Sequence, residues 1–174
     1  MYFYHSDDVW TKFPQLSALV FTISGVDQIS AASVDERIAE LLADVARDQA
    51  VMSEADRPSI KAWRQAYSTM GLKPTQYRCA VESLLRRFRK EGNIPQLHPA
   101  VNLLNAYSMA AALPIAVFDI EYIVAGIEVR AAKGTEKFTT FGGDVEHPEA
   151  GEIVFADGAD TAHARRWVYR QSAV

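Results

Sequence analysis

The sequence predicts an α+β fold, a single domain over residues 1–174 in which central helices pack on a mostly antiparallel or mixed sheet. Two observations lead there. Apolar residues recur at helical spacing only in the middle of the chain, and short strand-like runs parted by glycine-bearing turns fill the last third. Helices and strands are therefore segregated rather than alternating as βαβ units. A length of 174 residues suffices for one sizeable core and is short for two.

In chain order, residues 16–26 read LSALVFTISGV, rich in β-branched and aromatic side chains and closed by Gly25, which predicts a buried strand. Residues 30–33 then offer helix caps, and Val34, Ile38, Leu41, Leu42, Val45 and Val51 form one stripe of a helix over 34–52. A second helix is expected over 59–70, behind Pro58 and ended by Gly71 and Pro74. A third is expected over 75–90, with Thr75 as its cap and Ala80, Val81, Leu84, Leu85 and Phe88 on one face. The alanine-rich stretch 99–113 favours a fourth helix, and Pro114 breaks it before an apolar strand at 115–118. Strand-like runs follow at 123–129, 137–141, 153–155 and 167–169, a meander in expectation.

Composition narrows the function classes. An apolar share of 49% with 23% charged residues describes an ordered globular chain. The one cysteine, Cys79, has no partner for a disulfide, so a reducing, cytoplasmic setting fits best. The N-terminus lacks the pattern of a signal peptide, and no run of 18 apolar residues occurs, which disfavours a membrane partner. A net charge of −4 opposes nonspecific wrapping of nucleic acid and leaves room for a local basic patch. His5, His98, His147 and His163 are scattered, so no metal is expected. Walker, G-x-G-x-x-G and G-x-S-x-G motifs are absent, which removes the nucleotide and serine-hydrolase readings and implies no cofactor.

The stretch HPAVNLLNAYSMAAALPIAVFDIE at 98–121, with Pro99, Asn105, Pro114, Phe118 and Asp119, resembles the B3/B4 editing domain of the bacterial phenylalanyl-tRNA synthetase β subunit. GIEVRAAKGTEKF at 126–138 and EIVFAD at 152–157 continue the likeness in order. WRQAY at 63–67, Gly71, Pro74, RCAVESLLRR at 78–87 and RRWVYRQ at 165–171 are similar to free-standing members of the family, so the resemblance covers roughly 60–171. In the synthetases this domain hydrolyses tyrosine wrongly esterified to the phenylalanine tRNA. The resemblance thus implies a deacylase of aminoacylated tRNA, or a binder of a charged tRNA end. The chain departs from the synthetase at Ala116, where the editing histidine would stand, and the family's later glutamate and threonine have no aligned counterpart.

Ester hydrolysis needs a positioned water, donors for the oxyanion and contacts that select the amino acid. Glu82, Asn105 and Asp119 are the candidates for chemistry, with Arg78 beside them lining a cleft between helices and C-terminal sheet. Arg78, Phe118, Arg130, Glu136 and Gly142 are the candidates for holding substrate. All of these except Phe118 have a structural alternative. Glu82 can bridge Arg78 and Arg86 at i±4 on a solvated face; Asn105 can satisfy a loop; Asp119 can cap a turn; Arg130 and Glu136 can pair with each other or with Asp157; Gly142 and Gly143 can form a plain turn. Arg87 and Arg89 read as surface charges. Arg165, Arg166 and Arg170, interleaved with Trp167 and Tyr169, are the basic and aromatic cluster suited to tRNA phosphates and a stacked base.

Three functions follow as expectations. The first is a trans-acting editing factor that hydrolyses the ester of a mischarged tRNA. The second is a binding module for a free amino acid or a tRNA 3′ end, which Ala116 favours. The third is an assembly in which the chain pairs with another subunit through a sheet edge that its short C-terminus leaves open, with monomer and homodimer both open as its own oligomeric state.

Overall fold

A computed structural model describes residues 1–174. The chain is α+β as expected, with five α-helices and a five-stranded mixed sheet. Its internal contacts divide it into two units: residues 1–21 with 116–174, and residues 22–115.

The first unit carries the sheet. Strand β1 (Tyr2–His5) and helix α1 (Asp7–Lys12) come from the N-terminus; β2 (Gly126–Ala131), β3 (Phe138–Thr139), β4 (Val145–Glu146), β5 (Ile153–Asp157), β6 (Ala162–Arg165) and β7 (Arg170–Gln171) follow. The order is β1-β2-β5-β6-β7, with β1 parallel to β2 and every other pair antiparallel. Val129 lies opposite Phe155, and Phe155 opposite Ala164. All five residues of β5 are buried, because a strand with neighbours on both edges and cover on both faces has no solvent side. Ala132, Phe138, Val154, Ala156 and Ala162 form a core cluster beside it. At Gly126 the parallel pairing demands the absence of a side chain, since a Cβ there would lie 2.4 Å from the Tyr2 carbonyl oxygen.

The second unit is helical: α2 (Ala31–Val51), α3 (Pro58–Thr69), α4 (Ala80–Glu91) and α5 (Pro99–Ala111). Ser30 caps α2 by accepting from the Ser33 amide at 3.3 Å, and Val34, Leu41 and Val45 bury one stripe. Pro58 occupies the first turn of α3 as expected, and Gly92 ends α4 in a left-handed conformation at φ 71°. Asn102 on α5 ties down the preceding loop, accepting from the Leu97 amide at 2.8 Å and donating to the Leu97 carbonyl and to Gln96 Oε1, both at 3.3 Å.

Several expectations are corrected. Residues 16–25 form no strand, and Leu19 and Phe21 are 85% and 78% exposed. An apolar run becomes a strand only where an edge receives it, and the edge of β2 is taken by β1, a strand the sequence reading missed. Residues 115–118 are likewise not a strand; Phe118 instead packs its ring against Phe155, centroids 5.6 Å apart. Thr75 caps nothing, since α4 starts at Ala80 with Cys79 in the cap position. Residues 167–169 are a turn, with positive φ at Arg166 and Trp167, and β7 begins only at Arg170. Strand β6, sequence AHAR, was not expected, because neither alanine nor a charged residue signals a strand.

Candidate functional site

In the helical unit, two fully buried carboxylates organise a set of arginines. Glu82, in the first turn of α4, accepts two hydrogen bonds from Arg64 of α3, Nη2 to Oε1 at 2.6 Å and Nε to Oε2 at 3.1 Å. Arg78 Nε lies 3.4 Å from Glu82 Oε1 without hydrogen-bond geometry, so the expected Arg78–Glu82 pair forms, as an ion pair. Arg86 does not join it. It donates to Glu54 Oε1 at 3.2 Å, and Arg89 donates to the same oxygen at 3.0 Å. The bridge from Glu82 to Arg86 is therefore corrected: Arg64, brought in from the neighbouring helix, takes the place that local spacing assigned to Arg86. Arg89, read as a surface charge, is half exposed yet anchored on a buried carboxylate.

Cys79 sits beside this network. Burial pushes its thiol up to about 11, against a weaker opposing hydrogen bond from the Glu82 amide, so it stays protonated and is a poor nucleophile. On α5, the loop-tying role weighed for Asn105 belongs to Asn102. Asn105 itself, half-buried, makes no hydrogen bond through its side chain, which leaves both ends of the amide open to a ligand.

In the sheet unit, Glu136 is fully buried and closes the turn after β2. It accepts from Arg130 Nη1, from the Lys133 amide at 2.9 and 3.1 Å, and from the Gly134 amide at 3.1 Å. Burial alone would raise its carboxyl; the Lys133 amide and the Arg130 guanidinium outweigh that and hold it at about 2. Arg130 also donates to Asp160 Oδ1 at 3.0 Å, not to Asp157. The Arg130–Glu136 pairing is thus the one weighed from sequence, and it fixes a turn.

Asp157 is held by three amides instead, those of Val124, Ala159 and Thr161 at 3.0, 2.9 and 2.8 Å, with His163 Nε2 at 3.4 Å. Burial pushes its carboxyl up, but the amides and the imidazole bring it below the ordinary range. Phe118 sets its ring edge-on to His163, centroids 6.1 Å apart. The Asp157–His163 pair has no signature in the sequence, because two residues six positions apart on adjacent strands follow no periodic spacing. Asp119 does what an aspartate before a turn commonly does, accepting from the Glu121 amide at 3.0 Å. Gly142 donates its amide to Thr140 Oγ1 at 3.2 Å and Gly143 to the Thr140 carbonyl at 2.9 Å, so these donors are spent within their own turn.

The basic and aromatic cluster is neutralised by partners far off in sequence. Arg165, buried, forms a bidentate pair with Glu152 at 2.9 and 3.0 Å and donates to Glu146 at 2.5 Å. Arg170 also donates to Glu146, at 3.1 Å, and the Arg166 side chain lies between Glu152 and Glu149 at 3.8 and 3.9 Å. Trp167 is buried with its ring 4.7 Å from that of Phe13, so it presents no face to a base. Three arginines meet three glutamates, and the cluster carries no surplus of positive charge.

A depression of about 320 Å³ opens where β1 meets α1, lined by Tyr4, His5, Ser6, Asp7, Asp8 and Glu128. None of the expected site residues lines it. No group of three or more His, Cys, Asp or Glu side chains is arranged to hold a metal ion, and no helix is long and apolar enough to cross a membrane.

Buried carboxylates that anchor arginines in the helical unit, and acids held by backbone amides beside the mixed sheet, are the polar framework of this α+β protein. A model of the B3/4 domain matches residues 62–173, well over half of the chain, and the chain belongs to that tRNA-related family. No curated protein and no solved structure matches it.

Proposed function

We propose that this protein is a free-standing B3/4 protein that accepts the aminoacylated 3′ end of a tRNA and hydrolyses the ester of a mischarged one. The observation that carries the reading is Asn105: within the matched stretch, it is a half-buried side-chain amide with no partner in the protein. An unpartnered amide can donate to the carbonyl oxygen of an aminoacyl ester and accept from its α-ammonium. That pair of contacts orients an ester for attack by water. The reading takes the two units as halves of one domain, since the match at 62–173 draws on both, and it places the protein in the cytoplasm with charged tRNA.

A second reading, in which the charged end or a free amino acid is bound without hydrolysis, has its own support. Ala116 stands where the synthetase has its editing histidine, and Glu82 spends its oxygens on Arg64 and Arg78, so it is not free to take a proton from water. Incubating the protein with a panel of correctly charged and mischarged tRNAs, and following release of the amino acid, separates the two. Release that Asn105→Ala lowers by at least tenfold establishes the deacylase, because a side chain without hydrogen bonds is dispensable for folding. Protection of charged tRNA without release establishes the binding module. Neither release nor protection removes both readings.

A further inference from the structure

The expected tRNA contact at Arg165, Arg166 and Arg170 has its charge cancelled, whereas the helical unit holds a surplus. Glu54 and Glu82, each fully buried, anchor Arg64, Arg78, Arg86 and Arg89. Four guanidiniums against two carboxylates leave two positive charges on a chain whose net charge is −4. We infer that this arginine set, Arg64 on α3, Arg78 just before α4 and Arg86 and Arg89 on α4, is the surface on which the protein binds the phosphate backbone of tRNA, a proposal that rests on tRNA being the partner.

Three features favour a nucleic-acid backbone. The guanidiniums keep donors to spare: each has five N–H groups, of which Arg86 and Arg89 each use one on Glu54, and Arg78 uses none in a hydrogen bond, so that beyond its buried Nε its terminal NH₂ groups are left for a ligand. They remain reachable, with 29% of the Arg64 and Arg78 side chains, 34% of Arg86 and 49% of Arg89 exposed. They are also spread out. At about 1.5 Å per residue, α4 from its start beside Arg78 to Arg89 extends over roughly 14 Å, too long for one phosphate and suited to successive phosphates of a strand. Anchoring on buried carboxylates fixes the side chains before binding, so less rotamer entropy is lost when phosphates arrive.

The test is binding of uncharged tRNA, followed by fluorescence anisotropy over a series of salt concentrations. In Arg78→Gln/Arg89→Gln each buried carboxylate keeps one guanidinium, Arg64 on Glu82 and Arg86 on Glu54, so the fold is retained. Its affinity should fall roughly tenfold or more at about 0.1 M salt, and the slope of log K against log salt should flatten by about two phosphate contacts. Arg78→Lys/Arg89→Lys should keep most of the slope, and Arg170→Gln should leave binding unchanged. Unaltered affinity and slope in the glutamine double variant, or no binding of tRNA by the parent protein, overturns the inference. A flattened slope in a protein that releases no amino acid upholds this surface and removes the deacylase. Normal release with an unaltered slope does the reverse.

Discussion

Replacing Glu136 by glutamine tests the electrostatics of the sheet unit most directly. The carboxylate is fully buried against Arg130 and the amides of Lys133 and Gly134, and its folded value of about 2 lies well below the ordinary 4.5. A depressed acid stabilises the fold in its ionised form. The contribution is fully present above the unfolded value, declines as the pH falls from about 4.5, and is gone below about 2. At about 1.4 kcal/mol per unit, the displacement corresponds to about 3 kcal/mol at neutral pH. Glu136→Gln keeps the volume but removes the charge and turns an NH₂ toward donors, so it should lose about that much at pH 7. Urea unfolding followed by circular dichroism at steps from pH 7 to pH 2.5 should show the gap between parent and variant closing as the pH falls. Asp157 and the other depressed acids titrate in both proteins and cancel from the comparison. A gap that stays constant over that range, or one below about 1 kcal/mol at pH 7, refutes the reasoning.

Other outcomes follow from the same geometry. Glu82→Gln should cost about 2–4 kcal/mol in urea unfolding, because it leaves the partly buried Arg64 and Arg78 without their counter-charge; a loss within 0.5 kcal/mol would show that solvent already screens the pair. Gly126→Ala should detach β1, since the new Cβ meets a backbone carbonyl that cannot swing away, and amide exchange at residues 2–5 should accelerate while the helices keep their protection. Cys79 should resist a thiol reagent at pH 8 in the folded protein and react at once in 6 M urea; prompt labelling of the native state would contradict its burial.

The helices were legible because their determinants are local. Ser30 as cap, Pro58 in a first turn and the spacing of Val34, Leu41 and Val45 each act within a few residues, so α2, α3 and α5 lie close to where periodicity and caps put them. The resemblance also stood in the sequence, carried by an ordered succession of short motifs, and the family match at 62–173 agrees with it. Strand β1 and the exposed residues 16–25 show the limit. Both segments have strand-like composition, and only pairing across more than a hundred residues of chain decides which one the sheet takes.

The site residues divide in the same way. The sequence by itself determined which side chains carry charge and that Arg130 and Glu136 are near enough to pair. Only the tertiary structure decided that Arg64 rather than Arg86 completes Glu82, that Glu54 gathers Arg86 and Arg89, and that Glu146 and Glu152 cancel the C-terminal arginines. The physical reason is reach. Helix caps and apolar stripes are settled by neighbours a turn away, whereas a buried charge must be met by whatever opposite charge the fold brings within about 3 Å, whatever its distance along the chain.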